Sequence, residues 1–255
     1  MILDEILAAK REEIKELKEK FKLPLEQKKL PKVRNFEKAI KGRRLGLIAE
    51  VKASSPSAGT IVKDYDPVSI ARIYENAGVN AVSVLTDRKY FSGSIDHLVD
   101  VRKAVKLPLL RKDFIIDASQ IFESRLAGAD AVLLIARILG QDELENLIRT
   151  TQDLGMTPLV EVHSVKEAQS ALDAGARVIG INNRDLNTLK VDLSTTVNIM
   201  NELPQLKKKV LISESGIREK ADVDLLRELG INAILVGEAI LQSSDIRQKI
   251  KELLG

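Results

Sequence analysis

The chain has 255 residues, 44% of them hydrophobic, with 40 basic side chains against 37 acidic and a formal net charge of +3. That suits one large α/β domain or two small ones with a core that needs no staples. So small a net charge, spread along the chain, with three Tyr, five Phe and no Trp, argues against a nucleic-acid partner. The absence of cysteine excludes disulfides and thiolate metal sites, and two histidines leave few ways to build a zinc site. No apolar run reaches the roughly 18 residues of a membrane span, and the N-terminus is amphipathic and charged, so no membrane partner and a cytoplasmic location are expected.

Ile2 to about Lys22 carries Leu3, Ile6, Leu7, Ile14, Leu17 and Phe21 among alternating Lys, Arg and Glu, which predicts a surface helix with one apolar stripe, ended by Leu23 and Pro24. A second short helix is expected near Asn35–Lys41. The next stretch, Leu47 to Gly59, reads LIAEVKASSPSAG: an apolar run too short for a helix, broken by an acid and a base two residues apart, then a Ser/Pro/Gly segment. It predicts a strand followed by a mobile loop, Ser54 to Lys63, able to order over a substrate. Side chains two apart on a strand share a face, so Glu50 and Lys52 project together. They form either a self-neutralising ion pair at a strand end or part of a catalytic site.

From Leu47 onward the sequence repeats. GVNA at Gly78, GADA at Gly128, GARV at Gly175 and GINA at Gly230 each close a helical pattern and open a short apolar strand, 50, 47 and 55 residues apart. Strands are predicted near 47–52, 81–85, 109–112, 131–135, 157–162, 178–182, 210–213 and 233–236, each followed by a helical pattern. Asp66 before Pro67, Asp117, Ser164 and Ser244-Asp245 supply helix starts. Strict alternation implies right-handed crossovers and a parallel sheet, and eight units in about 210 residues are the dimensions of a (β/α)8 TIM barrel. The rival, a doubly wound sheet, lacks its Gly-rich turn after the first strand. With no interdomain linker visible, the expectation is a single domain over residues 1–255, with 1–46 an N-terminal helical extension packed across the barrel 47–255.

Barrels place reacting groups at the C-terminal ends of strands. Those ends are Glu50 and Lys52; Lys112 within RKDF; Glu161; Asn182 and Arg184; Glu214, Ser215 and Gly216; and Gly237 with Glu238. So many polar groups converging on one mouth argue against a purely structural role. Ser215-Gly216 and Gly237-Glu238 also present small residues whose backbone N–H groups can approach an anion, in the two loops where barrels commonly hold phosphate. His97 and His163 have no second ligand at metal spacing and read as structural or surface residues. Asp113 reads as orienting Lys112 or capping a loop, and Asp130 and Asp173 as solvated turn residues.

With IAEVK at Ile48–Lys52 followed by Ser55-Pro56-Ser57, RKDF at Arg111–Phe114, LVEV at Leu159–Val162, IGINNRD at Ile179–Asp185 and SESGI at Ser213–Ile217, the chain resembles the indole-3-glycerol phosphate synthase family. Ala53 departs from the basic or polar residue usual there, and Glu238 stands where some members have Ser. The resemblance implies closure of an indole ring from 1-(2-carboxyphenylamino)-1-deoxyribulose 5-phosphate with loss of carbon dioxide and water, in tryptophan biosynthesis, without a cofactor, by a monomer or weak homodimer.

For such chemistry Lys112 is the candidate acid for the ketone oxygen, with a pKa lowered by burial near other cations. Glu161 and Glu50 are candidate acid and base for dehydration, with Lys52 either assisting or neutralising substrate anion. Asn182 and Arg184 would hold the substrate carboxylate and hydroxyls, Phe114 would pack on the ring, Ser55 belongs to the binding set, and Ser215, Gly216, Gly237 and Glu238 would cradle phosphate. A Schiff-base aldolase using Lys112 or Lys52 is a rival, as are a sibling such as phosphoribosylanthranilate isomerase and a barrel that only binds.

Overall fold

The computed structural model describes residues 2–20, 30–42, 44–56, 59–186 and 188–255. Among these residues eight parallel strands close a barrel: β1 (Gly46–Val51), β2 (Ala81–Leu85), β3 (Leu109–Lys112), β4 (Ala131–Ile135), β5 (Thr157–Val162), β6 (Val178–Asn182), β7 (Val210–Glu214) and β8 (Ala233–Val236). Their order follows the sequence, and β1 pairs with both β2 and β8. This is the (β/α)8 TIM barrel the repeats predict. Lys52 lies one residue past β1, and β7 runs one residue beyond its predicted end.

The strands read as continuous apolar runs because both faces are buried. Alternate residues such as Ile48, Leu110, Leu133, Leu159, Ile212 and Leu235 fill the barrel interior, while Ala49, Val84, Val132, Val160, Ile179 and Ile234 pack under the surrounding helices. Side chains repeat every second residue, so one step toward the C-terminal end from Ile48, Leu110, Leu159 and Ile212 come Glu50, Lys112, Glu161 and Glu214. The apolar interior therefore ends in a charged layer.

Helix ends follow the predicted chemistry. Asp66 accepts from the N–H groups of Val68 and Ser69 ahead of helix Pro67–Ala77; Asp117, Ser164 and Asp245 cap their helices likewise. Gly78 and Gly128 close helices at φ 87° and 89°, where a side chain is disfavoured.

The N-terminal helix runs Ile2–Lys20; the expected stop at Leu23 and Pro24 lies outside the described residues. It lies at the C-terminal mouth, where Leu3 and Ile6 face the cavity and Lys18 pairs with Asp117 at 2.6 Å. The second helix, Phe36–Ile40 with Asn35 as cap, buries Phe36 and Ile40 against Val178, Val210 and Ala233 at the opposite end. The extension thus covers both ends of the barrel. The segment after β1 is more ordered than a simple loop: Ser54–Ser55 pairs antiparallel with Gly59–Thr60, and Ala53 O accepts from Ile61 and Val62. Residues 57 and 58 of the expected lid lie outside the described residues.

Candidate active site

A cavity of about 610 Å³ opens at the C-terminal end of the barrel, and every candidate site residue lines it: Glu50, Lys52, Ser55, Lys112, Phe114, Glu161, Asn182, Arg184, Ser215, Gly216, Gly237 and Glu238. Glu214 lines it too, beside hydrophobic walls from Leu3, Ile6, Leu133, Leu186 and Leu235. Phe114 and Phe91 stand with ring centroids 6.1 Å apart, an aromatic wall for a planar ligand.

Lys112 is the hub. Its Nζ lies 3.0 Å from Glu161 Oε2 and 3.7 Å from Glu214 Oε2, with both acids almost fully buried. Burial alone would favour the neutral amine, but Glu161, Glu214 and Glu50 outweigh it and raise the Lys112 pKa above its ordinary value. This corrects the expectation of a lowered pKa: its neighbours are carboxylates, not cations. Glu214 pays the complementary cost. Burial and the nearby Glu161 and Glu50 charges push its carboxyl up to about 8 against the pull of Lys112, and it shares a hydrogen bond with Glu161. Glu214 therefore keeps its proton well above the ordinary carboxylate range.

A stability prediction follows from that proton. The folded chain keeps it on Glu214 up to about 8, while an unfolded glutamic acid releases it near 4.5, so the folded state binds more protons across that window and stability falls as pH rises through it. Glu214→Gln removes the titration. The loss of Tm between about pH 5 and about pH 8 is expected to shrink in this variant, as read by calorimetry.

At the neighbouring strand end Lys52 Nζ pairs with Glu50 Oε1 at 3.0 Å, as their spacing predicts, and the Tyr74 hydroxyl donates to the Glu50 carbonyl. Gly237 sits against this pair. A Cβ there would lie 2.8 Å from Glu50 Oε1, 3.0 Å from Glu50 Cβ and 3.3 Å from Lys52 Cε. Gly237→Ala is therefore expected to displace Glu50 and Lys52 and cost on the order of 10²-fold in kcat/KM. An unchanged kcat/KM would show that their placement does not matter. Gly180 plays a similar part for Glu214, whose Oε1 occupies the space a side chain would need.

Asn182 and Arg184 follow β6. Asn182 Oδ1 accepts the Arg184 N–H at 2.9 Å; the Arg184 guanidinium donates to Leu189 O at 3.1 Å and stands 3.7 Å from Glu238 Oε2. After β7, Ser215 and Gly216 adopt φ of 66° and 81°, and a Cβ at Gly216 would lie 2.5 Å from Val191 Cγ1. Both the turn and the close approach of the Val191 segment require glycine there.

The structure settles Asp113 in favour of loop capping, overturns the reading of Asp130 and adds Glu214 to the site. Asp113 does not orient Lys112: it turns away and pairs with Lys10 at 2.9 Å and Arg111 at 3.1 Å, accepts from Thr86, and caps its own loop through the Phe114 N–H. Despite burial, Arg111 and Lys10 hold its carboxyl down at about 2. Asp130 is fully buried rather than solvated, accepting from the N–H groups of Arg34 and Leu109 and pairing with Arg102 at 2.6 Å. Glu214 takes no role from motif or spacing; the signal for it is a lone acid at the inward position two residues after Ile212. Asp173 is exposed, as expected. His97 packs edge-on against Tyr65 with ring centroids 5.3 Å apart, and burial lowers its pKa.

A closed (β/α)8 barrel with buried acids and lysines at its mouth, next to two glycine-bearing loops, defines a barrel enzyme for an anionic, partly aromatic substrate. The family model for indole-3-glycerol phosphate synthase matches residues 3–253. The indole-3-glycerol phosphate synthase of Acetivibrio thermocellus is 46% identical, covering 99% of this chain and 98% of that protein; that of Dehalococcoides mccartyi strain CBDB1 is 51% identical over 84% of this chain and 83% of that protein. The chain belongs to the indole-3-glycerol phosphate synthase family, the carbon–carbon lyases that form the indole ring in tryptophan biosynthesis. Among solved structures, thiamine phosphate pyrophosphorylase from Pyrococcus furiosus (TM-score 0.61, 16% identity, 86% of this chain and 96% of that one) and 3-hexulose-6-phosphate synthase (0.63, 15%, 82% and 98%) share the fold.

Proposed function

We propose that the Lys112–Glu161–Glu214 cluster carries the proton transfers by which this chain converts 1-(2-carboxyphenylamino)-1-deoxyribulose 5-phosphate to indole-3-glycerol phosphate. The observation that carries the reading is the Lys112 amine 3.0 Å from one buried acid and 3.7 Å from a second, whose carboxyl burial and neighbouring charge push up to about 8.

The ring carbon bearing the carboxylate attacks the ketone, and the developing alkoxide takes a proton from Lys112. The bond to the carboxylate then breaks, its electron pair restores the aromatic ring, and carbon dioxide leaves. Dehydration removes the same oxygen as water. Lys112, recharged by the Glu214 proton, donates a second time, while Glu161 takes the proton from the adjacent carbon. One acid beside one oxygen serves both donations. No cofactor is called for, because the anilino nitrogen supplies electron density to the ring.

Binding is divided accordingly. Ser215, Gly216, Gly237 and Glu238 cradle the phosphate through backbone N–H groups, with Lys52, whose chain passes beside Gly237, neutralising it. Asn182 and Arg184 hold the carboxylate and hydroxyls, Ser55 closes the site beside Lys52, and Phe114 packs on the aromatic ring. The place of work is the cytoplasm, where the substrate of an amino-acid pathway is made.

Inorganic phosphate or sulfate should compete with substrate, raising the apparent KM without lowering kcat. Inhibition that lowers kcat and leaves KM unchanged would remove the phosphate site from this reading.

A further inference from the structure

Behind Asn182 and Arg184, outside the cavity, the ends of β4, β5 and β6 are joined by four charged or titratable side chains. His163, the first residue after β5, places Nδ1 2.6 Å from the Asn182 carbonyl and Nε2 3.3 Å from Asp185 Oδ2. Its own N–H donates to Glu167 Oε2 at 2.7 Å; Glu167 Oε1 accepts from Arg137 Nε at 3.0 Å; and Arg137 Nη1 stands 3.7 Å from Asp185 Oδ2. A carbonyl only accepts, so Nδ1 carries a proton, and Nε2 then faces a carboxylate. Only the imidazolium satisfies both partners, and with it the ring of two acids and two cations is neutral.

Asp185 is also what folds the turn beyond it. Its Oδ1 accepts from the Thr188 N–H at 2.8 Å, its carbonyl from Leu189, and its N–H donates to Lys190 O. That turn holds Leu189 at φ 60°, an unfavourable conformation for a leucine, and the Leu189 carbonyl receives the Arg184 guanidinium. His163 therefore grips one cavity residue directly through its backbone and the other through Asp185 and the strained turn.

We infer that His163 is a positioning residue for substrate binding: as an imidazolium bridging the Asn182 carbonyl and Asp185, it fixes the Asn182–Arg184 grip from behind. The inference rests on the assignment of those two residues to substrate binding.

The test is steady-state kinetics with the carboxyphenylamino ribulose phosphate across about pH 6 to 8.5, the range in which a histidine exchanges its charge. The wild-type KM should rise from the acid to the alkaline end of that range; Asp185, Arg137 and Glu167 are the charged groups facing the ring. His163→Gln keeps a donor for the carbonyl but no charge; it should show KM raised about tenfold at the acid end, a flattened KM profile, and kcat within about threefold of wild type. His163→Ala should lose more in KM than the Gln variant. KM profiles of wild type and His163→Gln that superimpose, even with a lowered Tm, overturn the inference and leave a merely structural histidine. Asn182→Ala and Arg184→Ala separate the two levels. If they raise KM and His163→Gln does not, the positioning role alone falls; if neither raises KM, the assignment of the grip falls first. With His97→Gln removing the second histidine signal, ring-nitrogen NMR of the otherwise native chain gives an independent reading: both His163 ring nitrogens carrying hydrogen in their bonds to Asn182 and Asp185, and ring signals that move when indole-3-glycerol phosphate is added. Ring signals indifferent to that ligand overturn the inference as well.

Discussion

Lys112→Ala is expected to lose about 10²- to 10⁴-fold in kcat, the range for removal of a positioned general acid, with a much smaller change in KM because the phosphate and carboxylate grips lie on the opposite strands β6 to β8. Lys112→Arg discriminates the acid from a mere cation. It preserves the charge that Glu161 and Glu214 require, so burial of those acids is not left uncompensated, but a guanidinium does not give up a proton to an alkoxide. A loss of kcat close to that of the alanine variant is expected. Near-wild-type kcat in Lys112→Arg would make Lys112 an electrostatic cation and pass the proton transfers to Lys52, which lines the cavity just past β1.

Glu161→Gln carries the second large effect. It removes the base that takes the carbon-bound proton, and kcat is expected to fall about 10²- to 10⁴-fold. The same substitution removes one of the charges that hold the proton on Glu214, leaving Lys112 to act on Glu214 alone, so Glu214 should ionise below its present value of about 8. Infrared titration of the buried carboxyl reads this directly. An unmoved Glu214 titration together with unimpaired kcat would separate Glu161 from both roles.

The barrel was legible because its signals are local and repeated. Four glycine stops and the caps at Asp66, Asp117 and Ser164 mark element boundaries by backbone geometry, which does not depend on distant partners. Site residues were legible for the same reason: a period of two on each strand sends every charged residue at a C-terminal end to one mouth, and all twelve candidates do line one cavity. What the sequence did not carry is who stands beside whom. The direction of the Lys112 pKa depends on Glu161 and Glu214, 49 and 102 residues further along the chain, and no spacing encodes that pairing.

Lys10 illustrates the opposite case. It falls on the apolar stripe, four residues after Ile6 and four before Ile14, and the structure buries it to 1% exposure between Asp87 and Asp113, each at 2.9 Å. A lysine on the buried face of a helix announced an acidic partner, but the many charged neighbours along that helix hid it. Asp130 shows the reverse: its place in a helix-to-strand turn suggests solvent, whereas the extension through Arg34 folds over it.

The most direct test of the central claim is turnover of 1-(2-carboxyphenylamino)-1-deoxyribulose 5-phosphate by the purified chain, followed as indole fluorescence alongside carbon dioxide release. A saturable rate without added cofactor, one carbon dioxide for each indole formed, and no adduct trapped by borohydride are expected. Saturable binding with no indole product, or a borohydride-trapped substrate on Lys112 or Lys52, would contradict the claim.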